Sequence, residues 1–249
     1  MPSTSEKGHA KNIANLKKFI IVCQGYGAKY NPTKASIKVA NLQTRYTQAS
    51  TLLDDIKTAV TTNKTAINNR KVGFKGYRKY STRILSALKA TDATAETIDN
   101  AISINKKIQG ERITAEKKAK ATTESSTPPE DTSISTSQQS YTNIVDHYKK
   151  LKSLLVSQAA VYAPNEVDLQ TATVTTYATN LETLNNSVDT TNTALSNQRI
   201  SRNHSFYDDT TGLIDTINAA KDYIASVYGK TSPEYKLASA IQFAKPKQD

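Results

Sequence analysis

From Val39 to Ile67 the residues Val39, Leu42, Tyr46, Ala49, Leu53, Ile56, Val60, Asn63 and Ile67 follow one another at alternating intervals of three and four, and all but Asn63 are apolar. A helix turns once in ~3.6 residues, so this spacing draws one stripe down one helical face. A strand sends successive side chains to opposite faces and would scatter the same stripe. Sustained for this length, the 3.5-residue period favours left-handed, coiled-coil-like packing on neighbouring helices. The supply of chain breakers agrees: Gly 8 and Pro 7 in 249 residues are too few for an all-β chain that turns every ~8–12 residues. With apolar residues at 37% and no tryptophan, the core is expected to be lean.

A second feature is self-similarity. Sliding the sequence on itself by 132 positions aligns Lys17-Lys18 with Lys149-Lys150, Tyr30 with Tyr162, Pro32 with Pro164, Leu52 with Leu184, Arg70 with Arg202, Phe74 with Phe206 and Lys89 with Lys221. Beyond Lys89 the shift becomes 138, pairing Thr94 with Ser232, Glu96 with Glu234 and Lys107 with Lys245. An offset held without a gap over so many positions points to internal duplication. The expected fold is therefore all-α: two tandem, divergent copies of a three-to-four-helix up-and-down bundle unit with long coiled-coil-like helices. The first would span 1–121 and the second 141–249. Thr122 to Ser140, with Ser, Thr, Gln, two prolines and three acids, would be a flexible linker that buries too little apolar surface to offset its ordering entropy.

In the first copy Ile13, Leu16, Ile20, Cys23, Gly27 and Tyr30 trace helix one, and Asn31-Pro32 supplies a cap and first-turn proline for helix two. The second copy's long stripe of Val174, Ala178, Leu181, Leu184, Val188 and Leu195 is interrupted at Asn185 and Asn192. These asparagines either fix register as polar seam residues or lie half-exposed. Thr171 to Thr179 has strand propensity, which the helical frame around it overrides. A third helix follows Gly73 and Gly76. Its counterpart follows Tyr207, capped by Thr210 or Thr211 and closed by Gly229. Thr94 and Ser232 open short final helices, the first running on into a charged stretch near Lys120.

The string Tyr162-x-Pro164, Asn197-x-Arg199-x-x-Arg202-Asn203, Phe206-Tyr207, Thr210-Thr211-Gly212-Leu213, Lys221-x-Tyr223-x-x-Ser226-x-Tyr228-Gly229 and Ser232-Pro233-x-Tyr235-Lys236 resembles a widespread family of uncharacterised bacterial helical-repeat proteins. The resemblance implies a helical repeat and a bacterial origin, and no activity. Where that family's pattern has a proline before Thr210, this chain has Asp208-Asp209.

The formal net charge is +11, and all the excess falls in the first copy, leaving 1–121 basic and 141–249 near-neutral. The densest stretch, Arg70 to Lys89, holds Arg70, Lys71, Lys75, Arg78, Lys79, Arg83 and Lys89 with no acid, interleaved with Phe74, Tyr77 and Tyr80. On a helix Lys71, Lys75, Arg78 and Lys79 would share one face and Phe74, Tyr77, Ile84 and Leu88 another. Such a strip attracts phosphates by releasing condensed counterions, which suits nucleic acid or an anionic membrane surface alike, and Arg70, Lys71, Lys75, Arg78, Lys79 and Arg83 are candidate phosphate or nucleic-acid contacts. The bland reading is a solvated face that keeps a lean protein in solution. No base-reading motif accompanies it.

Catalytic and metal chemistry find little purchase. His9, His147 and His204 are widely separated, without the Glu-x-x-His or paired-His spacing of a metal bundle. Cys23 sits on the seam of helix one as a small core residue. Asp54-Asp55 and Asp208-Asp209 are neighbours whose side chains diverge on a helix, and Asp208-Asp209 suits a helix N-terminus. The chain is expected to be non-enzymatic and free of cofactors, a structural or protein-interaction protein whose partner is another protein or a second copy of itself. Nucleic acid is the alternative partner. A lone cysteine, no secretory pattern and no ~20-residue apolar run point to the cytoplasm and to no transmembrane segment.

Overall fold

The computed structural model describes residues 8–110 and 139–245. Their regular structure is helical: α1 His9–Gly25, α2 Val39–Gly73, α3 Tyr77–Lys89, α4 Ala95–Gln109, α5 Tyr141–Ser157, α6 Thr171–Tyr207, α7 Leu213–Tyr228 and α8 Pro233–Ser239. Short 3-10 turns lie at Gly27–Lys29, Ala35–Ile37 and Val167–Leu169. The described residues contain no strand, and the threonine run from Thr171 lies within α6. No helix among them is long and apolar enough to cross a membrane. Of the stretch from Thr122 to Ser140, only Gln139 and Ser140 fall within the described residues, and the charged run toward Lys120 lies outside them.

By packing, the chain divides into two compact units: residues 1–64 with 190–249, and residues 65–189. These do not coincide with the two sequence halves, since each unit combines helices from both. In the first, α1 lies with α7 and α8, and Leu16, Phe19, Ile20 and Cys23 share a core with Leu42, Phe206, Ile217 and Ile224. In the second, α5 lies along α4, which packs on α3, and Tyr148, Leu151 and Leu155 share a core with Ile84, Leu88, Ile108, Val174 and Leu181. Each fully buried Leu, Ile or Phe contributes roughly 1.5–3 kcal/mol relative to exposure.

The long helices follow their stripes with one departure each. In α2, Leu42, Ala49 and Ile56 are buried and Val39, Tyr46, Leu53 and Val60 half-buried, but Ile67 is exposed and Ala66 is buried instead. Past Lys64 the helix belongs to the second unit, where Arg70 and Gly73 face Asn185 and Leu184, and that inward face takes in Ala66. In α6 the two asparagines part company. Asn185 is buried and bonded, whereas Asn192 is exposed.

Local geometry recurs at the sequence offset. The 3-10 turns Ala35–Ile37 and Val167–Leu169 are separated by the same shift that aligns Tyr30 with Tyr162, and so are the starts of α2 at Val39 and α6 at Thr171. In the first turn the buried Tyr30 hydroxyl donates to the Ile37 carbonyl at 2.7 Å, and in the second the buried Tyr162 hydroxyl donates to the Leu169 carbonyl at 2.8 Å. The starts of α4 and α8 keep the longer shift that pairs Thr94 with Ser232. Thr94 Oγ1 accepts from the Thr97 N–H at 3.3 Å and Ser232 Oγ from the Tyr235 N–H at 3.0 Å, satisfying amide donors that a helix start otherwise leaves bare.

Three boundary expectations are corrected. Pro32 and Pro164 do not occupy first helical turns: extended backbone at Lys34 and Lys38, and at Glu166 and Gln170, brackets the two 3-10 turns, so α2 begins only at Val39 and α6 at Thr171. Helix α1 ends at Gly25, with Gly27 exposed at φ +55° in the following turn. The N-cap of α7 is Gly212 rather than Thr210 or Thr211. Asp208 explains the last: its Oδ1 accepts from the N–H groups and hydroxyls of both threonines at 2.9–3.0 Å, holding them in a turn before the helix. Gly229, at φ +85°, closes α7 as expected.

Candidate nucleic-acid interface

The basic stretch is divided between two helices. α2 stops at Gly73, and Gly76, at φ +78°, takes a left-handed conformation that only glycine adopts without strain before α3 begins at Tyr77. Arg70 and Lys71 therefore sit on α2, Lys75 in the turn, and Arg78, Lys79, Arg83 and Lys89 on α3. A single continuous helical strip, the arrangement in which four cations share one face, is not what forms. The apolar side behaves as the spacing implies, with Phe74, Ile84 and Leu88 buried in the second unit's core.

Three of the six candidates have protein partners. Arg70 is half-buried: Nη1 donates to Asn185 Oδ1 at 2.9 Å and the guanidinium lies 4.1 Å from the Tyr141 ring centroid. Arg83 Nη1 pairs with Asp168 Oδ2 at 2.6 Å, both side chains about half-exposed, and a pair so wetted is worth about 0–1 kcal/mol. Arg78 Nη2 donates to Gln139 Oε1 at 2.8 Å. Lys71, Lys75 and Lys79 are exposed, and of the six they are the ones that project to solvent without a hydrogen bond or ion pair to a described residue.

The partners come from parts of the sequence that carry no signal of the role. Asp168 lies in the turn Val167–Leu169, and its carbonyl also accepts from the Tyr80 hydroxyl at 2.6 Å. Gln139 sits between Arg78 and α4, where its Nε2 donates to the Lys107 carbonyl at 2.8 Å. Charge is also redistributed by the packing. By sequence, the unit containing the strip holds 16 Lys+Arg against 13 Asp+Glu, and the other holds 17 against 9. The larger positive excess thus belongs to the unit without the strip.

Elsewhere the geometry gives little to chemistry. Cys23 is buried in the first unit and desolvation pushes its thiol up to about 12, the opposite of an activated nucleophile. No group of three His, Cys, Asp or Glu among the described residues is placed to share a metal ion. Asp54 pairs with exposed Lys57 at 2.9 Å, and Asp209 with Lys245 at 2.7 Å. A shallow groove of about 260 Å³ in the first unit is lined by Asp55, Thr58, Ala59, Thr62, Thr191, Ala194 and Gln198, mostly Thr and Ala, with Asp55 the one charged side chain among them. No family model, curated protein or solved structure matches the chain.

Proposed function

We propose that this chain is a non-enzymatic structural or protein-interaction protein, made of two divergent copies of one helical segment whose parts are exchanged between two compact units. The observation that carries the reading is the repeated tyrosine latch: Tyr30 on Ile37 and Tyr162 on Leu169, buried hydrogen bonds at equivalent places in the two copies. The matching caps at Thr94 and Ser232 support it. Long helices presenting Thr, Asn and Lys faces suit contact with another protein chain or a second copy, and the single buried thiol suits a reducing cytoplasm. Light scattering coupled to size exclusion over a hundredfold range of concentration, with and without cross-linking in the native lysate, tests it. A strictly monomeric chain that cross-links to no protein would remove the interaction reading.

A second reading rests on Lys71, Lys75 and Lys79, exposed around the α2–α3 turn. Three cations can contact a phosphate backbone without reading bases. A shift of generic duplex DNA that weakens with salt and disappears in the Lys71→Glu, Lys75→Glu, Lys79→Glu variant supports it. Absence of any shift at low salt removes it.

A further inference from the structure

In the second compact unit the described structure buries one histidine, His147, on the inward face of α5, where it is 4% exposed. Among the described residues neither Nδ1 nor Nε2 has a hydrogen-bond partner. A buried imidazole normally satisfies at least one nitrogen, since an unpaired polar group in the interior forfeits the hydrogen bonds that water would give it. Among the described residues the charges whose field reaches it are those of Lys107 on α4 and of Lys150 and Asp146 on α5 itself. Two cations outweigh one carboxylate, and Asp146 is already engaged by Lys150 at 2.6 Å. The corresponding place in the first unit, at the sequence offset that pairs Tyr30 with Tyr162, is Asn15, which cannot take up a proton and whose Nδ2 donates to the Gln242 carbonyl at 2.7 Å.

We propose that His147 is an acid-sensitive latch on the α4–α5 packing of the second unit: neutral, it stays in the core, and protonated, it must leave, loosening α5 from α4. A proton on this ring would place a cation in the interior, with no acceptor among the described residues and in the field of two lysines, which is a costly state for a buried ionisable group. Burial first, and the two lysines next, hold the imidazole below its ordinary value of 6.5. The sign follows. A base whose folded value is depressed binds its proton more readily in the unfolded chain, so stability falls as pH drops below 6.5 and the loss deepens until the folded value is reached. Each pH unit in that window lowers the closed-to-open ratio by up to about tenfold.

His9 is the other histidine with a depressed value, through burial and Arg202, but it belongs to the first unit and shares a 2.7 Å hydrogen bond with the Tyr207 hydroxyl. Its contribution is read separately, on α1 and α7. The experiment is residue-resolved hydrogen exchange on the full chain between pH 7.5 and pH 5, corrected for intrinsic exchange, with the imidazole resonances followed in the same samples. Protection of α4 and α5 amides should fall on acidification below 6.5, by up to about tenfold per pH unit, ahead of α1 and α7, and His147→Leu should abolish the fall. Should His147→Leu not fold, the wild-type imidazole titration decides. A His147 ring that protonates at 6.5 or above while α4 and α5 keep their protection, or a His147→Leu profile that matches wild type, overturns the proposal.

Discussion

Arg70 reaches Asn185 across 115 residues of sequence, Nη1 to Oδ1 at 2.9 Å, a polar link from α2 to α6 within the second unit. Asn185 is 6% exposed and its own Nδ2 donates to Thr142 Oγ1 at 3.3 Å. One asparagine thus ties α6 to α2 and to α5.

Replacing Asn185 with Ala leaves the guanidinium short of an acceptor in a place where its Nε already has none. The expected cost is about 1–3 kcal/mol, measured by denaturant unfolding. A double-mutant cycle with Arg70→Met should return a coupling of about 0.5–3 kcal/mol. Strict additivity would show that the pair is incidental.

The two tyrosine latches should behave alike. Tyr30→Phe and Tyr162→Phe each remove a buried hydroxyl donor from a backbone carbonyl, at about 0.5–1.5 kcal/mol apiece. Costs that differ severalfold between the two sites would argue that the turns do different jobs.

Two glycines look similar in sequence and should not be similar in consequence. A β-carbon at Gly212 would collide with the backbone oxygen of Asp208, while one at Gly73 would meet only the Cδ1 end of the Leu184 side chain. Backbone in a bonded turn cannot give way as a leucine rotamer can, so Gly212→Ala should cost about 1–3 kcal/mol and Gly73→Ala markedly less. Thermal unfolding of the two variants checks the order.

Cys23 reports on the first unit. Buried at 1% exposure with its thiol pushed up to about 12, it should resist a thiol reagent at pH 8 in the folded protein and react at once in denaturant. Because only the thiolate attacks, the native rate measures opening of the α1 core, and Ile20→Ala should raise it. Fast labelling of the native chain would contradict the burial of α1.

The helices are legible because their cause is local: the three-and-four stripes of α2 and α6, the glycine at the end of α7, and the Thr94 and Ser232 caps all act within a few residues. The helices after Pro32 and Pro164 start later than the prolines imply because the tyrosine latch that bends those turns joins residues seven apart through a hydroxyl, which no periodicity records. The basic strip is visible as composition, but Asp168 and Gln139, which occupy two of its arginines, approach from 85 and 61 positions away. Above all, a sequence offset pairs segments by their residues and says nothing of which segment packs on which. Ile67 falls on the predicted stripe, yet the face that α2 turns inward past Lys64 is set by Leu184 and Asn185.

Each compact unit requires both sequence halves, since residues 1–64 share a core with 190–249, and residues 65–110 with 139–189. A protease site inserted between Gly110 and Gln139 in the full chain, cut after folding, tests this directly by size exclusion with light scattering. The two fragments should stay together as a 1:1 complex through dilution and separate only in denaturant. Two fragments that part under native conditions, each helical with its own cooperative unfolding, would contradict the account.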